Sequence, residues 1–460
     1  MHIFEFRKNL PASKEYRNFI FSRHRQMTEF YPVSFKQFYG LADANNFYVS
    51  CERLFRPDLE GRPVVVLSNN DGCVISRSNE AKAFIPMGAP AFQYERIFRE
   101  KGVEVFSANF ALYGDLSSRM MNLIARHAPE TEVYSIDEAF MKFDGFMPED
   151  LVQRMRDMRR EIRRAVGIPL TVGLAPTKTL AKAAARIAKK FPDETGGVYI
   201  LDSYEKMEKA LRWLPVEDIH GIGRRLAARL QRLGVKKAVD FTALPEKLLR
   251  RKFNVTVARI RRELLGQALT DLEPPQPRKR IATTRTFETR LTDFEEVRER
   301  IVTFAAVGAS KLRRQGSLAN YVTVFIRTDR HREDLPQYHG IITLPAPYST
   351  ASSVILARLA AAGLEKIWKE GYAYKKAGVI LSDLLPAGKG FDNIFTPHDP
   401  RHLSLMKTID RLNAKYGHDL LKLGGQDPQR TWKMKQAKLS PAYTTRLDDI
   451  IRVKVPQNFH

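Results

Sequence analysis

The sequence predicts an α+β protein of several domains, and three observations carry that prediction. The chain has 460 residues, more than one hydrophobic core usually holds. Strand-like and helix-like patterns alternate through its first half, with two adjacent strand runs that read as a hairpin. A proline-rich, charged joint, Asp271-Leu-Glu-Pro-Pro-Gln-Pro-Arg-Lys-Arg280, then separates a second set of strands and amphipathic helices. An apolar fraction of 43% is enough for folded cores, and a net charge of +24 points to a polyanionic partner, nucleic acid before an anionic membrane. No segment approaches the roughly 18 to 20 uninterrupted apolar residues of a membrane span. The N-terminus lacks the apolar core and small-residue cleavage site of a secretory leader. The two cysteines, Cys51 and Cys73, give neither a disulfide framework nor a zinc set and read as packing. A cytoplasmic protein fits all of this.

Residues 1–35 mix aromatic and basic side chains without a period. Phe38–Ala42 is short, apolar and aromatic, a buried strand. Asp43 ends it, Asn45 and Asn46 are placed to cap a helix, and Phe47, Tyr48, Cys51, Leu54 and Phe55 recur at helical spacing over Asn46–Phe55. Pro63-Val-Val-Val-Leu67 is a second buried strand, Asn70-Asp-Gly72 a turn, and Ser76 to Ala83 the polar, basic start of a helix. Further helices are predicted over Tyr113–His127, Pro148–Val166 and Thr177–Lys190, and strands over Val133–Ile136, Ala139–Phe143 and Leu170–Leu174, giving a sheet with helices on one face. Pro176 and Thr177 open the helix that carries Lys178 and Lys182 one turn apart, like charges that an anion would reconcile. Gly221-Ile222-Gly223 lies between short helices and lets backbone N–H groups approach a phosphate. Between Arg224 and Arg262 thirteen Lys or Arg face only Asp240 and Glu246, a backbone-binding surface with steep salt dependence. After the joint, Arg280–Thr289, Tyr321–Arg327, Gly340–Leu344 and Lys376–Leu381 read as strands, and Phe294–Gln315 and Ser352–Trp368 as helices.

The candidate chemistry lies in two stretches. Asp43 stands where a core strand hands over to a helix, beside fresh helix N–H groups, a place that suits a metal ion and a phosphate. A turn or cap residue is the plainer reading of Asp43 alone. Thr131-Glu-Val-Tyr-Ser-Ile-Asp-Glu-Ala-Phe-Met141 changes the balance by setting Asp137 and Glu138 between two apolar runs. Neighbouring residues on a strand point to opposite faces, so both acids serve one site only if a hairpin turn or bulge re-aims one. Three hard oxygen donors from two strand ends suit magnesium, and Asp43, Asp137 and Glu138 read as a two-metal phosphoryl-transfer site.

Three stretches, Asp43-Ala-Asn-Asn-Phe-Tyr-Val-Ser-Cys-Glu52, Ser68-Asn-Asn-Asp-Gly-Cys-Val-Ile75 and Tyr134-Ser-Ile-Asp-Glu-Ala-Phe140, resemble the Y-family translesion DNA polymerases, more narrowly their UmuC branch. The likeness runs from about residue 38 to the end and implies that residues 1–35 are an N-terminal extension, either a flexible basic arm or the result of a start codon assigned too early. It implies a right-hand polymerase with a ferredoxin-like palm (36–215) holding small fingers (about 56–109), a helix-hairpin-helix thumb (216–270), a linker (271–280), an α+β little finger (281–385) and a partner-binding tail (386–460). It implies error-prone synthesis past damaged bases in the SOS response, on primer-template DNA with deoxynucleoside triphosphates, using two Mg²⁺ ions held by Asp43, Asp137, Glu138 and the Ala44 carbonyl. Phe47, Ser76, Arg77, Lys82 and Lys182 match nucleotide-binding positions, although a solvated helix charge is the plainer reading of Lys82. Tyr48 matches the aromatic that lies against the sugar; a core role for Tyr48 with Phe47 as the gate is the alternative. Gly221, Gly223, Arg224 and Arg225 fall to DNA binding. The branch's UmuD-type dimer and RecA filament are implied partners. A sliding-clamp peptide matches at Phe391–Phe395, where the leading Gln is missing and only Ile394-Phe395 remains. Two other classes compete. A nucleotide cyclase shares a palm-like sheet but has no use for a basic thumb, and a catalytically inactive DNA-binding accessory protein has no use for three acids.

Overall fold

The computed structural model describes residues 30–33, 35–389, 401–416, 420–427, 432 and 434–451. The clamp-like peptide and nearly all of the N-terminal extension lie outside the described residues. The chain divides into two units, one running to Pro275 and taking in Gln436 onward, the other Gln276–Lys435.

The first unit is built on β1 (Gln37–Ala44). It is the middle strand of a five-stranded sheet, between β6 (Glu138–Asp144) and β7 (Leu170–Ala175), both antiparallel to it, with β5 (Glu130–Val133) and β8 (Val198–Ile200) at the edges. The short parallel strand β8 has no counterpart among the strands that the sequence pattern predicts. Helices cover both faces of this sheet, where the pattern predicts one face. Phe38, Ala42 and Ala44 pack with α1 (Phe47–Phe55), α3 (Phe110–Ile124) and α4 (Pro148–Ala165). Tyr39 and Leu41, pointing the other way, pack with α5 (Lys178–Lys190) and α6 (Tyr204–Trp213). The unbroken apolar run of β1 is what a strand buried on both sides requires.

A second sheet carries β2 (Val64–Leu67) between β3 (Val74–Arg77) and β4 (Glu104–Ser107) and is backed by α2 (Ala91–Glu100). The residues expected to start a helix after Ser76 form β3 and one 3-10 turn, Glu80–Ala83. A helical cluster comes next, α7 (Arg224–Arg232), α8 (Ala238–Ala243), α9 (Glu246–Lys252) and α10 (Val255–Leu264), and it shares its core with the α5 face of the main sheet.

The seat of α5 depends on Gly173 in β7. A Cβ there would lie 2.0 Å from the Ala185 backbone nitrogen and 2.4 Å from the Ala181 carbonyl oxygen, so helix and strand touch backbone to backbone. The small residues Ala181, Ala184 and Ala185 complete that contact and are buried. Gly173→Ala should therefore push α5 away and destabilise the unit by roughly 3 kcal/mol or more in urea unfolding. A loss below about 1 kcal/mol would mean the helix is free to adjust.

The second unit is a four-stranded antiparallel sheet, β11 (His339–Thr350), β10 (Ser317–Thr328), β12 (Tyr374–Pro386) and β9 (Arg280–Leu291) in that order. α11 (Phe294–Gln315) and α12 (Ser353–Ile367) cover one face over a core of Val322, Val324 and Ile326. The alternate residues of β10 leave Tyr321 41% exposed on the opposite side. All four strands run longer than the sequence pattern indicates, because their added ends mix proline, alanine and polar residues that β-propensity alone does not reveal.

Candidate active site

The end of β1 and the start of β6 are paired so that Asp43 faces Glu138 across the ladder. Asp137 is in the turn before β6, where the Tyr134 and Ser135 N–H groups both donate to the Glu138 carbonyl. The turn replaces the last residues of the strand predicted over Val133–Ile136, and it is the re-aiming device that two adjacent acids need. Ser135 Oγ donates to Asp137 Oδ1 at 2.6 Å and accepts from the Glu138 N–H at 3.0 Å, which fixes both residues. The Ala44 N–H donates to the Asp137 carbonyl at 2.9 Å and ties the turn to β1.

Lysines answer the acids. Lys189 Nζ is 2.9 Å from Asp43 Oδ1, and Lys182 Nζ is 3.1 Å from Glu138 Oε2 and stands over the Tyr134 ring. Burial pushes the Glu138 carboxyl up, Lys182 pulls it down, and Asp43 and Asp137 push it up again, so Glu138 feels both other acids. Among the described residues no three acidic, histidine or cysteine side chains converge on a single point. The donors are hard oxygens on adjoining strand ends, which is the chemistry a divalent cation requires; the side chains of Asp43 and Glu138 are engaged by lysines and that of Asp137 by Ser135. Lys82 donates to Asn79 Oδ1 at 2.7 Å, and its amine is held below the usual range by burial, Lys189 and Arg77, against the pull of Asp43. Lys82 thus belongs to the cluster around Asp43. No motif singles out Lys189, yet it lies seven residues, two helical turns, beyond Lys182, and that spacing is its one signal in the sequence.

The residues between Asp43 and the helix depart from the expected cap. Asn46 stands before α1 with φ 48°, and its side chain makes no cap bond; Nδ2 instead donates to Asn79 Oδ1 at 3.1 Å. Asn45 Oδ1 accepts from Thr171 Oγ1 at 2.9 Å. Phe47 is buried at 3% exposure, which leaves its backbone rather than its ring for a ligand. Tyr48 is half-buried, stacked on Tyr113 at 4.6 Å and edge-on to Phe110 at 6.1 Å. Burial and then Asp137 push the Tyr48 hydroxyl up. Ser76 is buried, with Oγ 3.5 Å from the Asn46 carbonyl, and the Arg77 guanidinium donates to the Ile85 carbonyl.

Gly221 takes φ +84°, and a Cβ there would meet Ile260 Cδ1 at 2.7 Å, so the turn before α7 needs glycine twice over. Gly223 caps α7, and Arg224 and Arg225 are exposed on its first turn. His220, which belongs to no sequence motif, reaches Tyr134 Oη at 3.4 Å, and burial beside Lys182 and Lys178 lowers it to about 4.

Behind Tyr48 lies a carboxyl, the last residue of the Asp43–Glu52 stretch, to which the sequence pattern assigns no role. Glu52 is fully buried; its Oε1 accepts from Tyr113 Oη at 2.6 Å and Ser440 Oγ at 3.0 Å, while Oε2 has no partner. Burial pushes it up to about 7 against the pull of both hydroxyls. Its folded-state value lies above its unfolded value, so the folded chain keeps the proton longer. Stability from this group is present at low pH and lost as pH rises to about 7, by up to roughly 3 kcal/mol. Glu52→Gln should flatten that loss between about pH 5 and 8 in thermal unfolding. Parallel curves for the two proteins would show that Glu52 is not the group responsible.

The sequence and the fold both have known relatives. Residues 42–186 match the impB/mucB/samB family model, residues 278–393 the C-terminal domain of the same family, and residues 404–453 a domain of unknown function (DUF4113). Protein UmuC of Salmonella typhimurium is 42% identical over 90% of this chain and 100% of its own. A DNA polymerase IV of Moorella thermoacetica is 30% identical over 83% of this chain and 94% of its own. A solved Y-family DNA polymerase chimera of Dbh and Dpo4 superposes with a TM-score of 0.63 at 23% identity, covering 76% of this chain and 99% of that one.

Proposed function

The chain belongs to the impB/mucB/samB family, and from that premise we propose that it is a DNA-directed DNA polymerase for error-prone translesion synthesis in the SOS response. The observation that carries this reading is the pairing of Asp43 with Glu138 on adjoining strands, with Asp137 in the turn between strands and Lys82, Lys182 and Lys189 around them. Acids that bind cations, beside amines that bind phosphate, are what nucleotidyl transfer needs.

Asp43, Asp137, Glu138 and the Ala44 carbonyl would hold the divalent metal, two Mg²⁺ ions in the family's scheme. Bound there, the metal supplies a more acidic primer hydroxyl and a charge clamp on the departing pyrophosphate. The protein's own residues do the rest. Lys82 and Lys182 bind triphosphate oxygens, released from Asn79 and Glu138 as the acids are neutralised. Ser76, Arg77 and the backbone at Phe47 border the nucleotide, and Tyr48 lies against its sugar. Gly221, Gly223, Arg224 and Arg225 contribute phosphate contacts to the duplex. The domain assignment reads the main sheet as palm, the β2–β4 sheet as fingers, α7–α10 as thumb and the second unit as little finger. A UmuD-type dimer, a RecA filament and a sliding clamp complete the proposal as partners, on the family likeness alone. No helix among the described residues is long and apolar enough to cross a membrane, and a cytoplasmic location belongs to the same reading.

Primer extension with Mg²⁺ on damaged and undamaged templates tests the function. Extension opposite the lesion, with frequent misinsertion, is the expected result. Duplex binding with no incorporation on either template would favour the inactive accessory protein.

A further inference from the structure

Gln436–Ile451 belongs to the first unit although the chain reaches it from the second. This strap crosses the β4–α3 junction. The Ser107 N–H donates to the Lys438 carbonyl at 2.9 Å, the Lys438 N–H returns a bond to Ser107 Oγ at 3.0 Å, and Tyr443 stacks on Phe55 at 4.4 Å. Its deepest residue is Ser440, 7% exposed. Ser440 Oγ accepts from Asn109 Nδ2 at 3.0 Å and lies 3.0 Å from Glu52 Oε1, to which it donates. Asn109 Nδ2 also reaches the carbonyls of Ser440 and Pro441, each at 3.2 Å, while its Oδ1 caps α3 by accepting from the Leu112 N–H. The strap therefore grips both the cap of α3 and the carboxyl that holds Tyr113. α3 carries Phe110 and Tyr113, two of the rings against which Tyr48 rests.

We propose that the strap is a positioning element for the sugar gate, acting through Ser440 on Glu52 and Asn109 and so on the rings behind Tyr48. The inference rests on the reading of Tyr48 as that gate. A stacked ring has no covalent stop, and its place is set by what holds its neighbour. Tyr113 is held by one carboxyl oxygen whose other tie is Ser440, and the second oxygen of Glu52 has no partner with which to compensate. Loosening that tie lets Tyr113 and Tyr48 yield by a few tenths of an ångström. That is enough to soften a steric exclusion while leaving the reacting groups in place. The sequence region so assigned lies inside the matched domain of unknown function.

The test uses the full chain and single-nucleotide insertion with matched deoxy- and ribonucleotides. Ser440→Ala should raise the ribo-to-deoxy ratio of kcat/KM about fivefold, with deoxynucleotide insertion within about twofold of wild type. Tyr113→Phe keeps the ring and breaks the same chain from the other side, so it should raise the ratio comparably. The double variant should do no more than either alone, because both act through one carboxyl. Equal loss of both substrates, an unchanged ratio, or additive effects would overturn the proposal. Tyr48→Ala run alongside separates the two levels. If it raises the ratio and Ser440→Ala does not, the strap has no such role; if neither does, the gate reading itself fails.

Discussion

Replacing Asp43 or Glu138 with alanine is expected to lower nucleotide incorporation by about 10³-fold or more while leaving duplex affinity within about twofold. The asymmetry arises from where each charge acts. The two carboxylates face each other across the β1–β6 ladder, and their proposed role is to fix positive charge against negative charge that develops during transfer, so their loss should fall on the chemical step. On the proposed assignment, duplex affinity draws on the thirteen basic residues between Arg224 and Arg262, a different part of the unit. Removing an acid also frees an amine, since Lys189 pairs with Asp43 and Lys182 with Glu138. Triphosphate binding measured in the absence of Mg²⁺ should therefore hold or tighten in the variants. Incorporation by either variant near the wild-type rate would place the catalytic acids elsewhere.

The acids are legible in the sequence because local rules expose them. An apolar strand that ends in Asp43, and a strand run interrupted by Asp137 and Glu138, are each costly unless charge is compensated. The cover on the second face of the main sheet has a signal too, the unbroken run Phe38-Tyr-Gly-Leu-Ala42; continuity of this kind, rather than alternation, marks a strand with helices on both sides. Residue type makes Asn46 a cap, whereas a left-handed φ turns its side chain toward Asn79; the backbone conformation that decides this is not a property of the pair Asn45-Asn46 alone. The Glu52 network lies beyond any local reading. Glu52 and Ser440 are 388 residues apart, and a serine in a tail of mixed composition gives no periodic or motif signal of the carboxyl it will meet. Asp43, Glu138 and Lys182 come together through strand pairing and helix seating, which pattern foretells in outline. Ser440 arrives by a return of the chain, which it does not.

Tyr48→Ala is expected to lower discrimination against ribonucleotides by about 10²-fold while deoxynucleotide insertion stays measurable. Tyr48 lies five residues past Asp43, in the first turn of α1, with its ring half-buried and Asp137 close enough to influence its hydroxyl. Phe47 fills the core position beside it, at 3% exposure, so the alternative in which Phe47 is the gate and Tyr48 the core ring runs against the burial of both. Deoxyribose offers no group at the 2′ carbon for a hydrogen bond, so selection for it must come from excluding the hydroxyl of the competitor. A ring backed by Tyr113 and Phe110 can exclude by contact because it has little room to retreat. Truncation to alanine removes the obstacle and leaves the acids and lysines where they are. If Tyr48 were only packing, its loss would lower both insertions together and cost roughly 2 kcal/mol of stability for a half-buried ring. Kinetics of matched ribo- and deoxynucleotide insertion, with thermal unfolding of the same variant, separate the two: a changed ratio identifies the gate, and a common fall with an unchanged ratio removes Tyr48 from that role.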